Sequence, residues 1–291
     1  GHPILLGDKE TILELKDEIG FTAEVPIIDP KTPEEKERRL RFAEKYWTGH
    51  QRKGIKLLDA QKWMRERNYF AAMMVNEGEA DALITGQTRN YITVIKPMLE
   101  LIGLAKGVTR VAAANLMLTK RGPIFLADTT INIDPTAKEL AKISQLTASL
   151  AKMFNIKPNI AILSYSNFGA SKTENSKKIA EAVGYIHRHF PNVVIDGEVQ
   201  ADFALNPDLL KKEFPFSKLV NKKVNVLIFP NLDSANITYK LMKELYDAES
   251  IGPIMLGLKK PAHILQLGAS VDEMVNMAAV AVIDAQEKAK S

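Results

Sequence analysis

Ile124-Phe-Leu-Ala127 runs straight into Asp128-Thr-Thr-Ile-Asn-Ile-Asp-Pro135, a short apolar stretch that ends on small polar residues, a proline and then a helical pattern. The same junction recurs along the chain. Residues 159–163 lead into Ser164-Tyr-Ser-Asn-Phe-Gly169, and 193–195 into Asp196-Gly-Glu-Val-Gln-Ala-Asp202. Residues 224–229 lead into Pro230-Asn-Leu-Asp-Ser-Ala-Asn236, and 253–256 precede Lys259-Lys-Pro-Ala-His263. Short apolar runs bounded by Gly, Pro, Asn or Asp suit buried parallel strands. Hydroxyl, amide and glycine residues at strand ends let a backbone approach a ligand closely, and open α/β sheets bind ligands outside the carboxyl ends of their strands. The five junctions therefore read as one assembled cleft.

Two further runs, 82–85 and 108–115, complete the expected strands. Between the strands, apolar residues recur at spacings of three and four over 33–48, 59–76, 90–101, 136–154, 172–189, 234–248 and 271–290, which predicts amphipathic helices. Alternating strand and helix argues for an α/β fold with right-handed crossovers. Pro33 and Pro135 suit first-turn positions, with Thr32 and Asp134 before them as caps. Ser270 with Glu273 three residues later is a capping box. At the N-terminus, Pro3-Ile-Leu-Leu-Gly7 reads as a strand with nothing before it. Gly1-His2 resembles an expression scar, so an upstream element is expected to be missing.

A chain of 291 residues with 46% apolar and 25% charged residues can bury a sizeable core, and two domains are expected. The lack of Cys excludes a disulfide framework, a zinc–thiolate site and a cysteine nucleophile. No apolar run approaches the ~18–20 residues of a membrane span and the start is not signal-like, so no membrane partner and a cytoplasmic setting are expected. The net charge of +4 is dispersed among acids, as in Lys31-Thr-Pro-Glu-Glu-Lys-Glu-Arg-Arg39, which argues against nucleic acid as a partner. It fits a mild attraction for small anions.

No GxGxxG follows a strand, no GxxxxGK[S/T] occurs and no HExxH is present, so neither a conventional nucleotide loop nor a zinc pair is encoded. His187 and His189 sit at a helix end, where dipole electrostatics explains them, and no metal is expected. Ser164, Ser166 and Gly169 form a tight turn before a helix. There an anion could use the free N–H groups and Ser171, or Ser171 or Thr173 could simply cap the helix. Asn231, Asp233 and Asn236 cluster at another strand-to-helix turn. Lys259 and Lys260 are either phosphate contacts or solvated lysines. Trp47 and Trp63 read as helix anchors in the core. The residues by themselves reach a two-domain α/β protein with a polar cleft for a small anionic ligand.

The five junctions, with Arg52-Lys-Gly-Ile55, Gly78-Glu-Ala-Asp-Ala-Leu-Ile-Thr-Gly86, Ile228-Phe-Pro-Asn-Leu232 and Glu249-Ser-Ile-Gly-Pro-Ile254, resemble the phosphate acetyl/butyryl transferase family over essentially the whole chain. The resemblance implies two α/β domains with largely parallel sheets and an interdomain acyl-CoA cleft, an architecture like isocitrate and isopropylmalate dehydrogenases. It implies a dimer or higher homo-oligomer. The expected division is 1–105 plus 254–291 against 106–253, with the family's first strand and helix absent. Asp128-Thr-Thr-Ile-Asn-Ile-Asp-Pro135 and Ser166-Asn-Phe-Gly169 look more like the transferase-related C-terminal region of hybrid NADP-dependent malic enzymes. Genuine transferases more often have Thr-Lys-Gly where this chain has Asn167-Phe168-Gly169.

The family moves an acetyl group between CoA and phosphate, and fixed arginines suit that charge. Here Gln266 stands where Ser is expected and Leu267 where Arg is expected. Lys96 and His50 replace two further arginines, with Arg52 as an alternative register for the second. Glu273 stands where an Asp base is expected. Losing one preorganised donor costs ~10²–10³ in rate, so no residue is assigned confidently to catalysis.

The resemblance therefore points to acetyl-CoA as an effector that controls an attached malic enzyme part by feedback. NADP and a divalent metal are expected only in that missing part, with no cofactor in this chain. Expected cleft residues are Arg89, Lys96, Ser164, Ser166, Asn167, Gly169, Lys172, Asn231, Asp233, Asn236, Lys259, Lys260, Gln266 and Gly268, with the cations Arg89, Lys172, Lys259 and Lys260 toward the CoA phosphates. An active phosphate acetyl- or butyryltransferase is the alternative, and a purely structural dimerisation domain a third.

Overall fold

The computed structural model describes residues 1–86, 91–246 and 248–290, with Ile92 described by its backbone alone. Strand β1 (Leu5–Leu6) leads into α1 (Lys9–Glu18), whose first turn is closed by the Thr11 N–H donating to Asp8 Oδ1 at 2.9 Å. Strand β2 (Ile27–Ile28) pairs parallel with β1. Helix α2 (Lys36–His50) ends in a 3₁₀ turn, Gln51–Lys53, and is followed by α3 (Leu57–Trp63) and α4 (Arg67–Glu77). Then come β3 (Leu83–Gly86) and α5 (Tyr91–Pro97), which runs on into a π-helical turn, Met98–Ile102.

Two expectations are corrected in this stretch. Thr32 does not cap α2. Its N–H and hydroxyl both turn back onto Asp29 O at 3.2 Å, and the helix starts at Lys36. The single helix expected over 59–76 is broken, because Glu66 takes an extended conformation between α3 and α4. The break lets α4 leave the surface. Seven consecutive residues, Tyr69 to Val75, are buried, as in a helix enclosed on every side.

The remainder comprises β4 (Ala112–Thr119), β5 (Gly122–Ala127), α6 (Ala137–Met153), β6 (Asn159–Leu163), α7 (Glu174–His189), β7 (Val194–Val199), α8 (Ala201–Leu205) and α9 (Pro207–Glu213). It closes with β8 (Val226–Ile228), α10 (Leu232–Tyr246), β9 (Glu249–Leu256), β10 (Ala262–Leu265) and α11 (Val271–Ala289). The capping box expected at Ser270 is formed. That of α6 uses Thr136 and Glu139; Asp134 is not the cap and pairs with Lys178 at 2.6 Å.

Six strands form one sheet in the order β7-β6-β8-β5-β4-β9. The first four are mutually parallel. Strand β4, expected parallel, is antiparallel to both β5 and β9. Its link to β5 is only Lys120-Arg121, long enough for a hairpin and far too short for a parallel crossover. Strand alternation divides the core. Phe125, Ala127, Ile160, Ile162, Val226 and Ile228 face α6, α7 and α11. Ile124, Leu126, Ala161, Leu163, Leu227 and Phe229 face α8, α9 and α10. The period of two is the one expected for a pleated strand.

Strand β10 pairs parallel with β3 in a second sheet, from Ala262 beside Leu83 to Leu265 beside Gly86. Lys259-Lys-Pro-Ala-His263 is thus half turn and half strand rather than a loop throughout. Gly86, at φ 122°, is required: a Cβ there would lie 2.2 Å from Leu265 O. This close approach sets Gln266 at the end of the small sheet. Trp47 and Trp63 pack against the core around Phe42, Tyr46 and Phe70, as expected of helix anchors. Among the described residues no helix is long and apolar enough to cross a membrane.

Candidate functional site

The parallel strands β5, β6, β7 and β8 end in register, with Ala127 beside Ile228, Ile162 beside Ile228 and Leu163 beside Val199. Their following loops therefore share one edge of the sheet. In the loop after β6, Ser166 Oγ and the Gly169 N–H both donate to Glu198 Oε1, at 2.9 and 3.1 Å. Asn167 exchanges two hydrogen bonds with Gln200, its Nδ2 donating at 2.6 Å and its Oδ1 accepting the Gln200 N–H at 2.7 Å. Glu198 is only 2% exposed, so a buried carboxylate holds this turn in shape. Thr173 caps α7, and the Ser171 hydroxyl lies 2.6 Å from Tyr165 Oη. Those neighbouring Ser171 and Thr173 hydroxyls hold the exposed Tyr165 phenol below its ordinary value. Ser164 Oγ is buried and has no hydrogen-bond partner among the described residues.

The loop after β5 is organised by Asp128. Its Oδ1 accepts the N–H groups of Thr130 and Ile131 at 2.9 and 3.0 Å, and its Oδ2 accepts that of Asn132 at 3.1 Å. Burial raises the Asp128 carboxyl above its ordinary value, while those donors oppose the rise. The Tyr91 phenol of α5 is raised as well, first by burial and then by the Asp128 charge. Thr129 Oγ1 donates to Asn115 Oδ1 at 2.6 Å, which ties the loop to β4.

Helix α10 connects this edge to the smaller sheet. Asn236 Nδ2 donates to Thr129 O at 3.0 Å, Tyr239 Oη donates to Gln266 Oε1 at 3.1 Å, and Lys243 Nζ pairs with Glu273 Oε1 at 2.8 Å. Spacings of three and four put these three side chains on one helical face. Asn231 accepts the Ser234 N–H at 2.9 Å as a start signal for α10, and Asp233 is exposed in its first turn. Lys178 Nζ bridges Asp134 and Pro230 O, at 2.6 and 3.1 Å, joining α7 to both loops.

The structure thus gathers Ser164, Ser166, Asn167 and Gly169 with Asn231, Asp233 and Asn236 along one edge, and joins Gln266 to them through Tyr239. It places His50 and Lys96 in a separate cluster. The His50 ring stacks on Tyr46 at 4.3 Å, and Tyr46 and Tyr69 both donate to Glu100 Oε2, at 3.0 and 2.9 Å. Lys96 lies over the Trp63 ring at 5.9 Å, with its Nζ 4.0 Å from Glu100 Oε1. Burial, then the Glu100 hydrogen bonds, raise both tyrosine hydroxyls well above their ordinary range. Arg52 is exposed in the 3₁₀ turn after His50.

Leu267 is 70% exposed and Gly268 adopts φ 75°. Glu273 closes its capping box and binds Lys243. Burial raises its carboxyl, but Lys243 and the Ser270 N–H outweigh that and leave it below the ordinary value. Lys172 and Lys259 are exposed. Lys260 is not a free cation, because its Nζ donates to Val75 O and Asn76 O at 2.7 and 3.2 Å and so caps α4. Arg89 lies outside the described residues. No group of three or more His, Cys, Asp or Glu able to hold a metal occurs among the described residues.

Sequence reasoning passed over Glu100, Glu198, Tyr239 and Lys243. The spacing of Asn236, Tyr239 and Lys243 was a readable signal of one polar helical face. Glu198 lay inside a quoted motif, but nothing local marks it as the buried acceptor for Ser166.

Residues 1–282 match the sequence model described as phosphate acetyl/butaryl transferase. The chain belongs to that family. Among this transferase-like chain's relatives, an NADP-dependent malic enzyme of Haemophilus influenzae is 36% identical over 99% of the chain, which spans 38% of that protein. A phosphate acetyltransferase of Bacillus subtilis is 33% identical over 98% of the chain, which spans 87% of it. A phosphotransacetylase structure from Streptococcus pyogenes superimposes with a TM-score of 0.87 at 34% identity, covering 100% of this chain and 87% of that one. The α/β fold with mostly parallel sheets is therefore the phosphotransacetylase fold.

Proposed function

We propose that this chain is an acetyl-CoA-binding, catalytically impaired transferase-like domain that regulates an NADP-dependent malic enzyme to which it is covalently joined. One observation carries the reading. Apart from Arg52, the alternative register to His50, every described position that the family resemblance assigns to phosphate or acid–base chemistry is neutral, apolar or already engaged. His50 stacks on Tyr46, Lys96 faces Glu100, Gln266 accepts from Tyr239, Leu267 is aliphatic and Glu273 is held by Lys243. A multiply charged phosphate would meet one partly neutralised lysine, joined by Arg52 only if that register holds, whereas its transfer calls for several fixed cations. Along the polar edge, Asn231 and Asn236 each engage one side of the amide, with Ser234 and Thr129, and keep the other side for a thioester ligand.

On this reading acetyl-CoA sits between the unit of residues 1–105 with 254–291 and the unit of residues 106–253. Its binding biases a homo-oligomer between two conformations of different ligand affinity. NADP and a divalent metal belong to the malic enzyme portion, and the whole assembly works in the cytoplasm. Isothermal titration with acetyl-CoA is expected to give one saturable site, and no heat of binding would sink the reading.

The alternative is an active phosphate acetyl- or butyryltransferase. It is favoured by the exposed Arg52 and by an identity of 33% to a phosphate acetyltransferase, close to the 36% to a malic enzyme. Phosphate-dependent turnover of acetyl-CoA at ordinary enzymatic rates would establish it in place of the first.

A further inference from the structure

A second concavity lies away from this edge, between α2 and α3. Lys36, Arg39 and Leu40 on α2 (i, i+3, i+4) and Leu58, Lys62 and Arg65 along α3 and its exit (i, i+4, i+7) line an open groove of about 430 Å³. The aromatic side of α3 is elsewhere, because Trp63 packs on Tyr46 and Tyr69. With Gln61, which also faces the groove, four of the seven lining side chains are cations. Among the described residues no carboxylate lies within ion-pair distance of Lys36, Lys62 or Arg65, and the nearby Glu35 is paired with Arg38 at 3.0 Å. Arg39 is held in place by donating to Pro30 O and Thr32 O, both at 2.6 Å. Burial first and the Arg65 charge second hold the Arg39 guanidinium below its ordinary value.

A concave wall of one sign focuses potential and concentrates counter-ions. Paired guanidinium groups match phosphoryl oxygens in geometry as well as in charge. Its volume lies within the ~300–1,000 Å³ of small-molecule sites, although the groove is open along one side. Leu40 and Leu58, 43% and 68% exposed, supply an apolar lining beside the cations. We propose that this groove binds a small phosphate-bearing metabolite, with Arg39 and Arg65 on its phosphoryl oxygens and Leu40 and Leu58 against its organic part. None of the residues lining the groove is among those expected in the acetyl-CoA cleft, and the proposal does not depend on that cleft.

The test is calorimetric titration of the whole chain at low salt with inorganic pyrophosphate and with ATP, each with and without acetyl-CoA. One saturable site is expected. Its affinity should fall tenfold or more in Arg65→Glu and in Lys62→Glu, both exposed positions whose unfolding temperatures should match the parent. ATP binding more tightly than pyrophosphate supports use of the two leucines, and equal affinities support recognition of the phosphoryl groups alone. The inference is overturned if neither probe saturates, if Arg65→Glu binds as well as the parent, or if acetyl-CoA displaces the probe. Failure of acetyl-CoA itself to bind would leave these outcomes intact.

Discussion

Replacing Asp284 by Asn should remove about 2 kcal/mol of stability at neutral pH, and the loss should vanish in acid. His263 sits in β10 with none of its surface exposed. The Met255 N–H donates to its Nδ1 at 3.3 Å, so the ring proton is on Nε2, 3.5 Å from Asp284 Oδ2, a contact that is long for a hydrogen bond and whose strength lies mainly in the carboxylate charge. Lys288 Nζ reaches the same oxygen at 3.0 Å. Asparagine keeps the shape and leaves the imidazole an acceptor, but both contacts lose the carboxylate charge. A hydrogen bond to a charged group contributes about 1.5–3 kcal/mol and a neutral one about 0.5–1.5, so two downgraded contacts amount to about 2 kcal/mol. For a chain of 291 residues that corresponds to about 3 °C in Tm.

The pH dependence follows from the Asp284 carboxyl. Burial pushes it up, yet the hydrogen bond from His263 and the Lys288 charge more than compensate and leave it below its ordinary value. A depressed carboxyl stabilises the fold fully above its unfolded value of about 3.9, and this contribution disappears as pH falls through the lower folded value. Urea unfolding of parent and Asp284→Asn at pH 7, 5, 4 and 3 should show a gap that is constant from 7 to 5 and closes below about pH 4. Equal stabilities at pH 7, or a gap that persists undiminished at pH 3, would refute the assignment of this pair.

Gly86→Ala should destabilise by about 3 kcal/mol in urea unfolding, because the new Cβ would meet Leu265 O at 2.2 Å from a backbone at φ 122°. Thr136→Ala and Ser270→Ala each open a formed capping box and should cost about 1 kcal/mol, with no change in the slope of the unfolding transition. Leu267→Arg, at a position 70% exposed, should leave stability within about 0.5 kcal/mol of the parent. The same variant should still turn over acetyl-CoA with phosphate about 10²-fold or more below a working transferase, since Gln266, Lys96 and His50 remain unsuited to phosphate. A coupled assay for acetyl phosphate reads this directly.

The junctions at Asp128, Ser164 and Pro230 were legible because alternation and strand-end chemistry are local. Ile124 to Ala127 and Asn159 to Leu163 carry their own signal of a buried strand, and parallel register alone then aligns the loops that follow them. Strand β10 was obscured because Lys259-Lys260-Pro261 reads as a turn and because His263, a polar residue, is buried in the strand by partners in β9 and α11. The helix break at Glu66 was equally hidden, since the burial of α4 on all sides is decided by elements distant in sequence.

The same limit governs the site. Lys259 and Lys260 are adjacent and chemically identical, and as sequence they are equal candidates for a ligand phosphate. What separates them is that the last turn of α4, some 185 residues earlier, presents the Val75 and Asn76 carbonyls to Lys260 and not to Lys259. Lys96 likewise carries a positive charge where the family resemblance expects an arginine, and only the placement of Glu100 beside it, itself fixed by Tyr46 and Tyr69, shows that the charge is already partly answered. Whether a cation serves a ligand depends on which carboxylates and carbonyls the fold brings to it. In the proposed impaired transferase, partners such as Glu100, Tyr239 and Lys243 therefore decide more than the substitutions themselves.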